Sequence, residues 1–449
     1  MRAAEAFKLS LKYLIRHRKR YFFLFCALSF GFCAVTVIMS IKDGMERNVF
    51  LSAQSHYSGD VVVMGRDAES EISGHISNEY IQIINSAVLR SKKTPVKQIM
   101  RTQYFGDANL FHDGENVTAK YILGVDWEAE ADYINALSYD SRIDFEVKNS
   151  KLKKAPPLKL TEESILLSQP LAEKINARAG DKIILEVENA AGQMDTAYFV
   201  AAGVFKDNSI FGFYKCFTSR ARLNALSGFK PDECSVIGLY FTGEKEAEEA
   251  RADLQKNLEG KLQISGYTRN RAEWRGELAK NWDGIMIFLL SLPVFLTEVT
   301  DILSSINLIS FILYIMMLMI IFVSAAVTYR LIFHERIKEI GAMRAIGFSS
   351  GAIVAVLALE TAFLSIVSIA SGFILALIVN KCFSFVSFSW IPGLDTFLEG
   401  GRLSVVYKTK IVLLNASAVF VMLSLAVLPP AFRLSRSPLA LMLTGASKE

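Results

Sequence analysis

Five histidines, His17, His56, His75, His112 and His334, are the first residues to weigh for chemistry, because imidazole serves both acid–base catalysis and metal ligation. They are scattered, and none forms an H-E-x-x-H or other ligand-spaced pair, so no metal site is read here. Ser150-Lys151-Leu152-Lys153 matches S-x-x-K, the signature of serine acyl-enzymes, but it sits in the lysine-rich run 148–154 and its companion motifs are missing. No G-x-x-x-x-G-K-[ST] phosphate loop occurs. No catalytic residue is assigned, and the chain is read as a non-enzyme without a cofactor of its own. Substrate-contacting residues are likewise unassigned.

The residues with the most informative spacing lie at 329–360, YRLIFHERIKEIGAMRAIGFSSGAIVAVLALE, a charged stretch between two apolar ones. Ile337, Ile340, Gly341 and Ile346 alternate with Glu335, Arg336, Lys338, Glu339 and Arg344. The pattern predicts a short amphipathic helix that Gly347 ends and after which Ser349 or Ser350 caps the next. A solvated connector and a docking helix for a soluble protein both fit this pattern.

The elements that position this stretch follow from composition. The chain has 449 residues, of which 52% are hydrophobic and 21% charged, with a mean hydropathy of +0.31. The apolar residues concentrate at 21–41, 302–329, 352–380 and 411–428, the last extended by 429–432. A helix needs about 20 apolar residues to cross a bilayer, so four spans are expected. The first run is too long for a signal peptide, whose apolar core is about 7–15 residues. The twelve apolar residues at 285–296 are too few for a fifth span and contain Pro293, and they are expected to form an external helix packed on the domain.

Basic residues set the orientation. Arg2, Lys8, Lys12, Arg16, Arg18, Lys19 and Arg20 precede the first span, which places the N-terminus in the cytoplasm. Residues 1–20 are read as a basic amphipathic helix on the headgroups, with Phe7, Leu11, Leu14 and Ile15 on one face. Arg330, Arg336, Lys338 and Arg344, and Arg433, Arg436 and Lys448 of the tail at 433–449, then also fall inside. Lys381, Arg402, Lys408 and Lys410 fall in the external loop 381–410, a mild conflict.

The expected organisation is therefore spans at 21–41, 301–329, 352–380 and 411–432, a coupling segment at 330–351, and a large extracytoplasmic portion at 42–300. That portion reads as α+β, with two subdomains. Strands are expected at 60–64, 117–125, 182–188 and 197–205, a hairpin turn at 189–195, and helices at 78–91, 171–177 and 245–259. Cys216 and Cys234 lie in it, and a disulfide between them is open, since spacing alone does not show one. In the third span Ala355, Ala358, Ala362, Ser365, Ser368, Gly372 and Ala376 share one helix face suited to close packing in lipid. Glu360 lies off that stripe, either functional or reaching for the headgroups.

The 329–360 stretch closely resembles the cytoplasmic coupling segment of ABC permeases of the MacB/FtsX superfamily, whose members show E-R-x-x-E-I-G-x-x-[RK]-A-[IL]-G. Here it stands as Glu335, Arg336, Glu339, Ile340, Gly341, Arg344, Ala345, Ile346 and Gly347. SLKYLIRHRKR at 10–20, IKDGM at 41–45, ILGVD at 122–126 and residues 164–188 resemble other stretches of that family. So does the tail, with Pro430, Ala431, Arg433, Arg436 and Pro438 in matching positions. Within the family, the architecture and SHYSGDVVV at 55–63 look most like the lipoprotein-releasing LolC and LolE permeases.

The resemblance implies a mechanotransmission subunit in the inner membrane, with a periplasmic domain. A separate cytoplasmic ATPase would bind ATP and magnesium, and a second permease copy or paralogue would complete the dimer. Membrane lipids, lipoproteins and a periplasmic carrier are the further expected partners, and no nucleic acid is expected. MacB-like efflux and FtsX-like signalling to a cell-wall hydrolase are the alternatives.

Overall fold

The computed structural model describes residues 18–68, 74–104, 107–139, 159–206, 215–388, 397–398 and 402–436. The amphipathic helix expected before residue 18, the run at 148–154 and Pro438 and Lys448 of the tail lie outside these residues. The chain divides into a helical unit (residues 1–47, 303–388 and 402–449) and a sheet unit (residues 48–302 and 389–401).

Among the described residues four helices are long and apolar enough to cross a membrane, and the chain is a membrane protein. They are Arg18–Tyr57, Thr297–Ala345, Ser350–Phe385 and Thr409–Ser435, the first to fourth long helices below. In the helical unit Leu24, Leu28 and Phe32 of the first, Leu318, Ile321 and Ala325 of the second, Leu357 and Leu364 of the third and Leu423 and Val427 of the fourth form one buried core. Other apolar side chains, such as Phe23, Phe30, Ile320 and Leu414, face outward, as lipid-facing surfaces require. Small residues bring the helices close. A Cβ on Gly372 would meet the Ser29 carbonyl at 2.6 Å, and Ser29 Oγ lies 2.6 Å from Ser371 Oγ.

The described residues of the sheet unit form twelve strands: β1 (Val61–Asp67), β2 (Lys97–Tyr104), β3 (Ala108–His112), β4 (Glu115–Ala119), β5 (Tyr121–Val125), β6 (Ser138–Tyr139), β7 (Ser164–Ser168), β8 (Lys182–Glu188), β9 (Met194–Lys206), β10 (Lys215–Ser219), β11 (Val236–Tyr240) and β12 (Ile285–Ser291). Their order is β12-β1-β11-β2-β5-β10-β7-β9-β8-β3-β4, with β6 paired to β9. The β8–β9 hairpin pairs Lys182 with Val200 through Glu188 with Met194, as its alternating sequence predicts. The run expected as one strand over 117–125 is instead two, β4 and β5, which pair with different neighbours.

Several buried cores pack along this sheet. Helices Asn78–Arg90 and Glu244–Leu258 cover β1, β11 and β12 through Ile84, Ala250 and Leu254. The second core gathers Leu110, Leu167, Leu185, Phe199 and Cys216. Cys216 and Cys234 are free thiols in different cores. Burial pushes each up to about 12, which keeps both protonated and unreactive.

The external helix expected at 285–296 is a correction. Residues 285–291 are β12, paired antiparallel with β1, and only Leu292–Phe295 turn helically. Ile287 and Leu289 enter one core while Phe288 and Leu290 enter another cluster with Val62 and Phe295. A strand buried on both faces reads as an unbroken apolar run, which the sequence cannot distinguish from a short buried helix.

Candidate functional site: a buried ion pair behind the 330–351 segment

Residues 330–345 are not a separate short helix but the continuation of the second long helix, which runs unbroken through 49 residues. No Gly or Pro interrupts it before Gly347 except Gly341, which a helix tolerates at about 1 kcal/mol relative to alanine. The end is sharply defined. Gly347 has φ of 101°, its N–H donates to Arg344 O at 3.0 Å, and Phe348 N–H donates to Met343 O at 3.1 Å. This is a Schellman ending, closed by the apolar pair Phe348 and Met343. Ser349 Oγ then accepts from Ala352 N–H at 3.2 Å and starts the third long helix, so the two helices are joined by a turn of four residues, 346–349.

The helix sorts the family-like residues into two faces. Arg336, Ile340 and Gly341 are buried, together with Met343. Glu335, Lys338, Ala345, Ile346 and Gly347 are exposed, and Glu339 and Arg344 are half-buried. Arg336, Ile340 and Gly341 therefore belong to the bundle interior rather than to a surface that a soluble partner can reach. The sequence motif mixes both faces because a helix with 3.6 residues per turn interleaves them.

Arg336 points at Glu360. The guanidinium donates from Nη1 to Glu360 Oε2 at 2.7 Å and from Nη2 to Oε1 at 3.3 Å, and both side chains are 1% exposed. Arg336 Nη1 also donates to Tyr21 OH at 3.0 Å, and Tyr21 OH donates to Glu360 Oε2 at 3.1 Å. Arg336 Nε reaches Glu339 Oε2 at 3.3 Å, one turn along and nearer the surface. Tyr329, itself buried, stands edge-on to Tyr21 with centroids 6.5 Å apart. The first, second and third long helices are thus fastened by one charged cluster. Glu360 does not reach outward to headgroups; it is consumed by an internal bidentate pair.

The stripe of small residues divides as well. Ser365, Ser368, Gly372 and Ala376 are buried, whereas Ala355 is exposed and Ala358 and Ala362 are half-buried along an open cleft. Only the first group packs as expected of a close helix contact.

A second polar cluster ties residues 402–408 to the first and third helices. Asn380 Nδ2 donates to Ser40 Oγ at 2.8 Å and to Tyr407 OH at 2.7 Å, and Val406 N–H donates to Ser40 O at 3.1 Å. Lys408 Nζ lies 3.4 Å from Asp43 and 3.8 Å from Glu46, so this lysine of the 381–410 loop is locally neutralised. Nothing local in the sequence marks this cluster, because Asp43 and Lys408 are 365 positions apart. Gly44 lets the backbones meet, because a Cβ there would fall 1.8 Å from Ser404 O. Gly→Ala inside a helix ordinarily stabilises by about 0.5–1 kcal/mol. Gly44→Ala is expected to do the opposite, costing about 1–3 kcal/mol as overpacking does. Thermal unfolding in detergent reads the sign.

Chemically the site holds a buried, fully hydrogen-bonded charge pair between three helices. Among the described residues no three His, Cys, Asp or Glu side chains gather to hold a metal ion. His75 pairs with Glu233 at 2.9 Å and His112 with Asp181 at 3.3 Å, both in the sheet unit and both explained by those partners.

Comparison with curated proteins finds no match to this chain. Residues 311–439, which carry Arg336, Glu360 and the turn between them but not Tyr21, match the family model described as FtsX-like permease C-terminal, and this part of the chain is similar to the ABC permeases of the MacB/FtsX superfamily.

Proposed function

We propose that the chain is the membrane subunit of an ABC transporter, and that residues 330–351 receive the motion of a separate cytoplasmic ATPase, which binds ATP and magnesium. The observation that carries this reading is the two-faced end of the second long helix. Its exposed side offers Glu335, Lys338, Ala345 and Ile346, the last 80% exposed, which together give a partner both charge and an apolar anchor. Its buried side is fixed by Arg336 to Glu360 and Tyr21, so a push on the exposed side moves three helices together. In this reading the charged segment and the tail lie in the cytoplasm, the sheet unit lies in the periplasm, and a second permease copy completes the assembly.

The work done at the far side is, in this proposal, release of lipoproteins from the inner membrane, with a carrier receiving them. The support is the likeness of the architecture and of residues 55–63 to lipoprotein-releasing permeases. A sheet unit whose main segment spans residues 48–302 is also large for a domain that only signals to a hydrolase. Depletion of the chain is then expected to leave lipoproteins in the inner membrane. Normal lipoprotein sorting with new sensitivity to drugs would instead point to efflux.

The coupling surface has its own test. Lys338→Glu with Arg344→Glu reverses charge on exposed and half-buried positions. It is expected to weaken binding of the ATPase at least tenfold, about 1.4 kcal/mol. Binding and stimulated ATPase activity at wild-type levels would remove residues 330–351 from the mechanism.

A further inference from the structure

Asn415 places an amide inside the apolar run 411–428. A polar group buried in such surroundings needs a hydrogen-bond partner, because leaving it unpaired costs free energy. Asn415 is 3% exposed, and among the described residues its Nδ2 has no hydrogen-bond partner. Thr36 of the first long helix is 2% exposed, and its Oγ1 has none either. Thr36, Ser40 and Asp43 follow one another at steps of four and three, which sets them on one face of that helix.

Thr36 and Asn415 line one small cavity, together with Met39, Ser40, Asp43 and Lys408. It leaves about 10 Å3 for the centre of a water-sized molecule. One water needs about 10–15 Å3 of such space, so there is room for one and no more. A buried water ordinarily makes about three hydrogen bonds. The lining supplies that number: an amide N–H that donates, a hydroxyl that accepts, and the Asp43 carboxylate, which has about four acceptor positions.

The same lining selects water over an ion. Lys42 and Lys408 already stand 3.1 and 3.4 Å from Asp43 Oδ1, so the carboxylate has its countercharges. A cation would face Lys408 and an amide N–H, and an anion would face Asp43, which is 1% exposed. Water alone among small species both donates and accepts, as a buried N–H opposite a hydroxyl and a carboxylate requires.

We propose that this cavity binds one water molecule, which accepts from Asn415 Nδ2, donates to Thr36 Oγ1 and the Asp43 carboxylate, and so joins the first and fourth long helices. The inference rests on the helical unit alone and is independent of the transport reading.

The test is a crystal structure of the full chain at a resolution that shows ordered water, with a double-mutant cycle of denaturant unfolding in detergent. A density peak is expected about 2.7–3.2 Å from both Thr36 Oγ1 and Asn415 Nδ2. Thr36→Val and Asn415→Leu each remove one partner of the water and strand the other, and each is expected to lower the folding constant about tenfold. The double variant puts apolar side chains in both places and is expected to return to within about threefold of wild type. Additive losses, about a hundredfold in the double variant, overturn the shared water. So does a map without the peak, or one in which the two side chains bond directly. An anomalous peak at this place in crystals soaked with rubidium would make the occupant a cation and also overturn the proposal. The density is read from the wild-type chain, so it decides the matter even where a variant fails to fold.

Discussion

Arg336→Ala will destabilise the helical unit by about 3–5 kcal/mol, and Glu360→Ala will cost a similar amount. Each leaves the other charge buried, at 1% exposure and without its bidentate partner. The cost comes from the stranded charge more than from the lost attraction, which has a clear consequence. Arg336→Met with Glu360→Met removes both charges and fills the space, and it should recover most of the lost stability. A double-mutant cycle on denaturant unfolding in detergent therefore gives a large coupling energy. Additive losses, with the double variant worse than either single one, would show that the two side chains act separately. Tyr21→Phe removes a hydroxyl that bridges the pair and should cost only about 0.5–1.5 kcal/mol.

The same cycle separates packing from transmission. With stability restored in the double methionine variant, the three helices are still packed but no longer fastened by directional bonds. On the proposed function, an ion pair that transmits the stroke leaves ATPase binding intact and lowers release of cargo when it is removed. If the variant works as well as wild type, the pair only fixes the fold.

Much of this was legible in the residues. The four long apolar helices were visible because runs of about 20 apolar residues, the length a bilayer crossing demands, occur in few other structures. The β8–β9 hairpin was visible because Lys182–Glu188 alternates with a period of two and a Gly-containing turn follows. Gly347 and Ser349 marked the turn between the second and third helices, since an αL ending and an N-cap are local chemistry. What the sequence hid were the partners of long-range contacts. Arg336 and Tyr21 are 315 positions apart, and nothing local in either names the other. Glu360 looked like an isolated intramembrane carboxylate for the same reason. The strand at 285–291 was misread because burial on both faces erases the alternation that identifies a strand.

Arg101→Ala is the second substitution expected to cost about 3–5 kcal/mol, this time in the sheet unit. Arg101 on β2 and Glu130 are 1% and 3% exposed, and Arg101 Nε donates to Glu130 Oε1 at 2.8 Å while Nη2 donates to Oε2. Nη1 donates to two main-chain oxygens, Ser55 O at 2.7 Å and His56 O at 3.2 Å. These are among the last carbonyls of the helix Arg18–Tyr57, which have no partner within the helix. Burial alone would pull the guanidinium down, but the charge and hydrogen bonds of Glu130 hold it above its ordinary value, so it stays charged at any working pH. Alanine leaves Glu130 stranded and two carbonyls unsatisfied. Lysine keeps a charge but cannot serve a carboxylate and two carbonyls with one planar fork, so Arg101→Lys should fall between wild type and alanine. Arg101→Met with Glu130→Gln restores neutrality without restoring the carbonyl bonds. If holding the helix end is the main role, that variant remains unstable in denaturant unfolding, unlike its counterpart at Arg336 and Glu360. Recovery to wild type would mean that the charge pair alone sets the cost and that the helix end satisfies its carbonyls elsewhere.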